Sequence, residues 1–186
     1  MTLEKTIEKL MKELDAKEKR QDAVLQLSRE AIRDCARAIR HLHTGQHKEC
    51  LATVKHLDEK MKTLHEFDED FSHISQTAYQ EYSEIKCLLA ILDKKELPDF
   101  KDLGIDWQTY LSGLADCVGE LRRSLQLALK NDDYNTAEYL FEKMNYVYDN
   151  LMQLKYSGSL VGPLKRKQDM IRGQVEQARS EMLRKK

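Results

Sequence analysis

The 186-residue sequence has two prolines, Pro98 and Pro163, and only seven glycines, while Leu, Lys, Glu, Ala and Arg are plentiful. That scarcity of breakers beside good helix formers is the profile of an all-helical protein. Its four cysteines, Cys35, Cys50, Cys87 and Cys117, are dispersed without a Cys-x-x-Cys pair. They read as reduced, small apolar residues and exclude a disulfide or zinc framework. No apolar run approaches the ~20 residues that span a membrane. The opening Met1-Thr2-Leu3-Glu4-Lys5 carries an acid and no apolar segment, so it does not read as a signal peptide. These absences predict a soluble, cytoplasmic protein. A net charge of −1 gives no global attraction to nucleic acid, so any such site must be a local basic patch. There is no glycine-rich phosphate loop, no Gly-x-Ser-x-Gly elbow and no Glu-x-x-His pair of a di-iron bundle.

About six helices in one unit, residues 1–186, are expected. The first runs from near Thr2 to His43, unbroken or in two parts, with Leu3, Ile7, Leu10 and Leu14 at coiled-coil spacing. Unbroken, it would be ~60 Å long, more than a small domain covers alone. Gly45 stands where a helix C-cap belongs. Further helices are expected over about Gln46–Phe67, Phe71–Leu92 and Trp107–Lys130. Asn135 with Glu138 resembles a capping box for a fifth helix ending near Tyr156, and Ser157-Gly158-Ser159 leads into a sixth over Leu160–Leu183. Between them, residues 94–106 form a long loop.

Four carboxylates carry the chemistry. Glu81 and Glu84 are spaced i, i+3, and Asp116 and Glu120 i, i+4, so each pair leaves one helix face. Like charges that close repel unless a cation or a proton settles them, and a site of oxygen ligands suits a hard ion such as Mg2+ or Mn2+. The bland reading is a solvated face in a chain that is 34% charged. Periodicity puts Glu81 at the edge of the apolar stripe of its helix, where a lone carboxylate is costly. Glu84 falls further round and fits a solvated face better. Asp116 and Glu120 lie opposite the Leu111–Leu114–Val118–Leu121 stripe, beside Gly113, which admits a close backbone.

The second constellation is basic. Arg29, Arg33, Arg37 and Arg40 share a face of the first helix, with His41, His43 and His47 close behind. Arginine forks suit phosphate oxygens, and a histidine such as His43 can stack on a base. Arg122, Arg123, Lys165, Arg166 and Lys167 add positive charge. An arginine run on a surface helix is also the ordinary composition of a solvated face, with Glu30 and Asp34 at hand as partners. The histidines lack a nearby Cys or acid to complete a zinc site.

The stretch from Ile74 through Gln80-Glu81-Tyr82-Ser83-Glu84 to Ile91, and Tyr110-Leu111-Ser112-Gly113-Leu114-Ala115-Asp116 with Gly119-Glu120-Leu121-Arg122-Arg123, resemble the translin family. They are more similar to its catalytic branch, translin-associated factor X, than to translin. Leu27-Ser28-Arg29-Glu30, Ala38-Ile39-Arg40-His41-Leu42-His43, the Asn131-Asp132-Asp133-Tyr134 turn and Leu164-Lys165-Arg166-Lys167 add to the likeness, which covers roughly residues 17 to 183. The resemblance implies a helical subunit of a closed, roughly octameric shell. It would be a homo-oligomer or a mixture with a translin-like subunit, cleaving single-stranded RNA, with DNA as an alternative ligand. Glu81, Glu84, Asp116 and Glu120 match the acids that hold Mg2+ in the catalytic branch, where the ion acidifies water and stabilises charge on the phosphate. Glu120 would serve as proton acceptor. Two rivals remain: a catalytically silent nucleic-acid-binding scaffold like translin, and an all-helical Mg2+-dependent nucleotide pyrophosphatase. The first should lack the acids, and the second has no use for an arginine helix.

Overall fold

The computed structural model describes residues 2–184; Met1, Lys185 and Lys186 of the expected 1–186 unit lie outside the described residues. Seven helices and no strand occur among them. The helices are α1 (Leu3–His43), α2 (His47–Phe67), α3 (Ser72–Leu92), α4 (Trp107–Lys130), α5 (Tyr134–Leu151), α6 (Gly158–Val161) and α7 (Leu164–Arg184). The first four match the expected spans to within a residue or two.

α1 is a single unbroken rod of 41 residues. Its second half buries Val24, Ala31, Cys35, Ala38 and Ile39 against α2 and α3, and Lys17 and Arg20 just before it reach Asp70 at 4.0 and 3.9 Å. The first half projects, leaving Leu3 72% and Leu14 62% exposed. Gly45 ends the rod at φ +75, a left-handed conformation that costs glycine nothing, and Gln46 N–H closes the turn on His41 C=O at 2.8 Å.

Helix α4 is the hub, packing on α3, α5 and α7. It starts where the Asp106 carboxylate accepts from Thr109 N–H at 2.9 Å. Leu114, Val118, Leu121 and Leu125 then enter a core shared with Ile85, Leu88, Leu140, Met144 and Ile171.

Two expectations at the C-terminal end are corrected. The cap of α5 is Asp133, whose carboxylate accepts from Thr136 N–H at 3.0 Å, so the capping box at Asn135 is not used. That helix stops at Leu151 instead of near Tyr156, because the Gln168 amide of α7 donates to the carbonyls of Leu151 (2.6 Å) and Leu154 (3.2 Å). The expected sixth helix is two. Gly162, at φ +54, followed by Pro163, which has no N–H to give, separates the one-turn α6 from α7.

Candidate active site

Gly113 sets the spacing of the two acid-bearing helices. A Cβ there would overlap the Gln80 carbonyl oxygen and stand 2.7 Å from Ser83 Cβ and 3.0 Å from Glu84 N. Its absence lets α4 lie directly on α3, and the Ser83 hydroxyl fastens the contact by donating to Tyr110 C=O at 3.0 Å. This close approach buries Glu84, which is only 8% exposed. The expectation that Glu84 suits a solvated face is therefore corrected: periodicity gave its angle on α3 but not the nearness of α4.

Glu84 has three acids around it. Burial, and then the charges of Glu81, Asp116 and Glu120, push its carboxyl up to about 8, and no hydrogen-bond donor among the described residues relieves it. Glu81 is half-buried and is also raised, by burial first and then by Asp116, with Lys167 pulling the other way. Both shifts report negative charge gathered in a place short of water and cations. Cys35 of α1 lies near enough that Glu81 and Glu84 add to the upward push of burial on its thiol.

The other two acids are engaged. Asp116 accepts from the Gln80 amide at 2.6 Å on one oxygen, while the Lys167 ammonium of α7 donates to the other. Glu120 meets His43 Nε2 at 2.5 Å and has the Arg123 guanidinium at 3.7 Å. The hydrogen bond from His43, more than its charge, holds the Glu120 carboxyl below the usual range. With Asp116 drawn to α7 and Glu120 to α1, no three acids or histidines among the described residues close on one point. The donor set still fits a hard cation: four carboxylates, with Glu84 and Glu81 lacking a donor of their own.

His43, expected behind the arginine run as a residue that could stack on a base, turns inward instead. Four residues beyond Ile39, it continues the inward side of α1, and its side chain is 4% exposed. Arg29, Arg33, Arg37 and Arg40 all face solvent. Arg37 pairs with Asp34 at 3.4 Å; Arg29, Arg33 and Arg40 have no carboxylate in salt-bridge range among the described residues. His41 and His47 turn to Gln46 (2.6 Å) and Asp93 (3.3 Å), away from any shared ligand point. The four cysteines are free and buried, as expected.

Lys167, Gln80 and the His43–Glu120 bond were missed as site components. A signal for Lys167 existed: Leu164, Gln168, Ile171 and Val175 form the buried stripe of α7, and Lys167 alone of the Lys165-Arg166-Lys167 run borders it. For Gln80 and His43 nothing local distinguishes an inward polar residue from an outward one.

An all-helical bundle that carries four neighbouring carboxylates on two adjacent helices defines the class of protein. No family model matches the chain. An uncharacterized protein of Methanocaldococcus jannaschii is 36% identical over 179 residues, which is 94% of this chain and 80% of that protein. Among solved structures, AfC3PO in a complex with duplex RNA is 28% identical with a TM-score of 0.86, over 97% of this chain and 96% of that one. AfC3PO itself gives 29% and 0.87 over the same shares. Apo-NeC3PO shares the fold at a TM-score of 0.91 and 20% identity, over 100% of this chain and 99% of that one. C3PO is a translin/TRAX protein. The chain belongs to the translin family. Among the described residues, no helix is long and apolar enough to cross a membrane.

Proposed function

We propose that this protein is a Mg2+-dependent endoribonuclease, the catalytic subunit of a translin-like oligomer, with Mn2+ an acceptable substitute. The observation that carries the reading is Glu84. A carboxyl 92% removed from solvent, without a hydrogen-bond donor and ringed by Glu81, Asp116 and Glu120, is costly to keep unless a cation belongs there. A catalytically silent scaffold has no reason to retain it. Glu81, Glu84, Asp116 and Glu120 would hold the ion, and a bound Mg2+ supplies an acidified water and charge stabilisation at the phosphate. Glu120, kept ionised by His43, accepts the proton of the attacking water. Arg29, Arg33 and Arg40, without carboxylate partners among the described residues, offer forks to the RNA backbone. The retained acids match those of the catalytic branch, and a relative has been solved with duplex RNA. Single-stranded RNA remains the preferred substrate in this reading, because splayed strands follow a basic face more closely.

The test is cleavage of labelled single-stranded and duplex RNA in Mg2+ and in EDTA, beside release of phosphate or pyrophosphate from nucleoside triphosphates. Glu81→Gln should abolish Mg2+-dependent cleavage without unfolding the protein, and should raise the melting temperature in EDTA by relieving repulsion. Full activity in that variant, or triphosphate hydrolysis with RNA left intact, would sink the assignment.

A further inference from the structure

The Lys167 side chain enters the acid site from a third helix. It sits one turn into α7, beside the buried Leu164, Gln168 and Ile171, and is 21% exposed, while Asp116 is 19% exposed. Its ammonium bonds one oxygen of Asp116, and Gln80 occupies the other. Lys167 also acts on Glu81 and Glu84, opposing the upward push on both. One ammonium thus serves three of the four carboxylates, and Glu120 has His43 and Arg123 instead.

The neighbours of Lys167, Lys165 and Arg166, face solvent, as lysine and arginine ordinarily do. In the metal reading Asp116 gives an oxygen to the ion, and both of its oxygens are in use. Two cations cannot share that oxygen without mutual repulsion in a poorly hydrated site.

We propose that Lys167 is a built-in counter-ion: it fills the acid site in the absence of metal, and a divalent cation must displace it to bind. This rests on the metal reading above and deepens it. The lysine keeps four carboxylates from splaying α3 away from α4, and it sets the cation concentration at which the site fills. Being tethered on a flexible four-carbon stem, it leaves without unfolding α7.

Mn2+ binding, followed by calorimetry and by the paramagnetic signal of free Mn2+, reads this directly without activity. Lys167→Met keeps most of the length of the side chain and removes the charge. The apparent dissociation constant for Mn2+ should fall about tenfold, the effect of removing one competing charge from a partly buried site. Lys167→Arg should stay near wild type. In EDTA the methionine variant should melt below wild type, and saturating Mn2+ should close most of the gap. A purely structural lysine would give weaker or unchanged Mn2+ binding on removal, and either result overturns the proposal.

A second measurement needs no variant. Brief acetylation of the wild-type protein, read by mass spectrometry, should label Lys167 poorly in EDTA and more readily in Mn2+, with Lys165 as the internal reference. Labelling of Lys167 that Mn2+ leaves unchanged or lowers overturns displacement. Mn2+ binding by the methionine variant alone would show a lysine that outcompetes the ion, in support. Absence of Mn2+ binding in wild type and variant alike removes the metal site itself, and the counter-ion role with it.

Discussion

Gly113 on α4 faces the Gln80 carbonyl of α3 with no room for a Cβ between them. The consequence is measurable. Gly113→Ala must push backbone against backbone, so it should lower stability by about 1–3 kcal/mol despite alanine's better helix propensity. Gly119→Ala, six residues along the same helix with nothing within 4 Å of its Cβ position, should instead be neutral or stabilising by up to about 1 kcal/mol. Thermal melts of the two variants side by side separate the close-contact glycine from the incidental one. Mn2+ affinity should drop only in the first, because only there do the acid pairs move apart.

The raised carboxyl of Glu84 makes stability in metal-free buffer depend on pH. Its ordinary value is 4.5 and its folded value about 8, so between these the folded state holds a proton that the unfolded chain has lost. Stability therefore declines as pH rises through that window and levels off above it. Glu84→Gln removes the ionisation. Its advantage over wild type should grow between pH 5 and 8, reaching on the order of 2–5 kcal/mol. Denaturant melts of both proteins in EDTA across that range check this, and a difference that does not vary with pH would contradict the burial of charge.

Exposed arginines on α1 should register in the salt dependence of RNA binding. Arg29→Ala with Arg33→Ala should weaken binding of a single-stranded RNA of about ten nucleotides, largely irrespective of sequence. The slope of log affinity against log salt should flatten by roughly 1.4, because two phosphates are no longer neutralised by the protein. Mn2+ binding should survive, because neither side chain reaches the acids. An unchanged slope would make this face merely solvated.

The projecting half of α1 predicts an assembly. Leu3, Ile7, Leu10, Met11 and Leu14 form one exposed apolar stripe, each at least 45% accessible. Water-exposed apolar ridges of this kind are normally covered by another subunit. Light scattering should give a mass several times that of the protomer at micromolar concentration, and Leu10→Glu with Leu14→Glu should reduce it. A monomeric wild type would contradict this.

Much of the fold was legible because α1 to α4 obey strong local rules: long apolar stripes, and Gly45 as a stop. The C-terminal third was less so. The end of α5 is decided by a glutamine 17 positions downstream, and long-range hydrogen bonds of that kind leave no local mark. The acids were readable as pairs, since i, i+3 and i, i+4 spacing survives in any helix. Their environment was not. Whether Glu84 is wet or dry depends on how near α4 comes, which Gly113 decides from another helix. His43 is a similar case: in a stretch with three histidines, only packing selects the one that bonds Glu120.

The hydrogen bonds that hold the candidate site close over 36, 51 and 77 residues of chain. On a chain emerging from the ribosome, the four carboxylates are all synthesised well before Lys167, and α3 and α4 can pair before α7 exists to neutralise them. During that interval the acid pairs lack their lysine, so the hairpin of α3 and α4 is held apart by its own charge. Docking of α7 then completes the core and the charge balance in the same event. Ribosome-bound chains truncated before residue 164 should accordingly be more protease-sensitive across α3 and α4 than chains that include α7, and added Mn2+ should protect them.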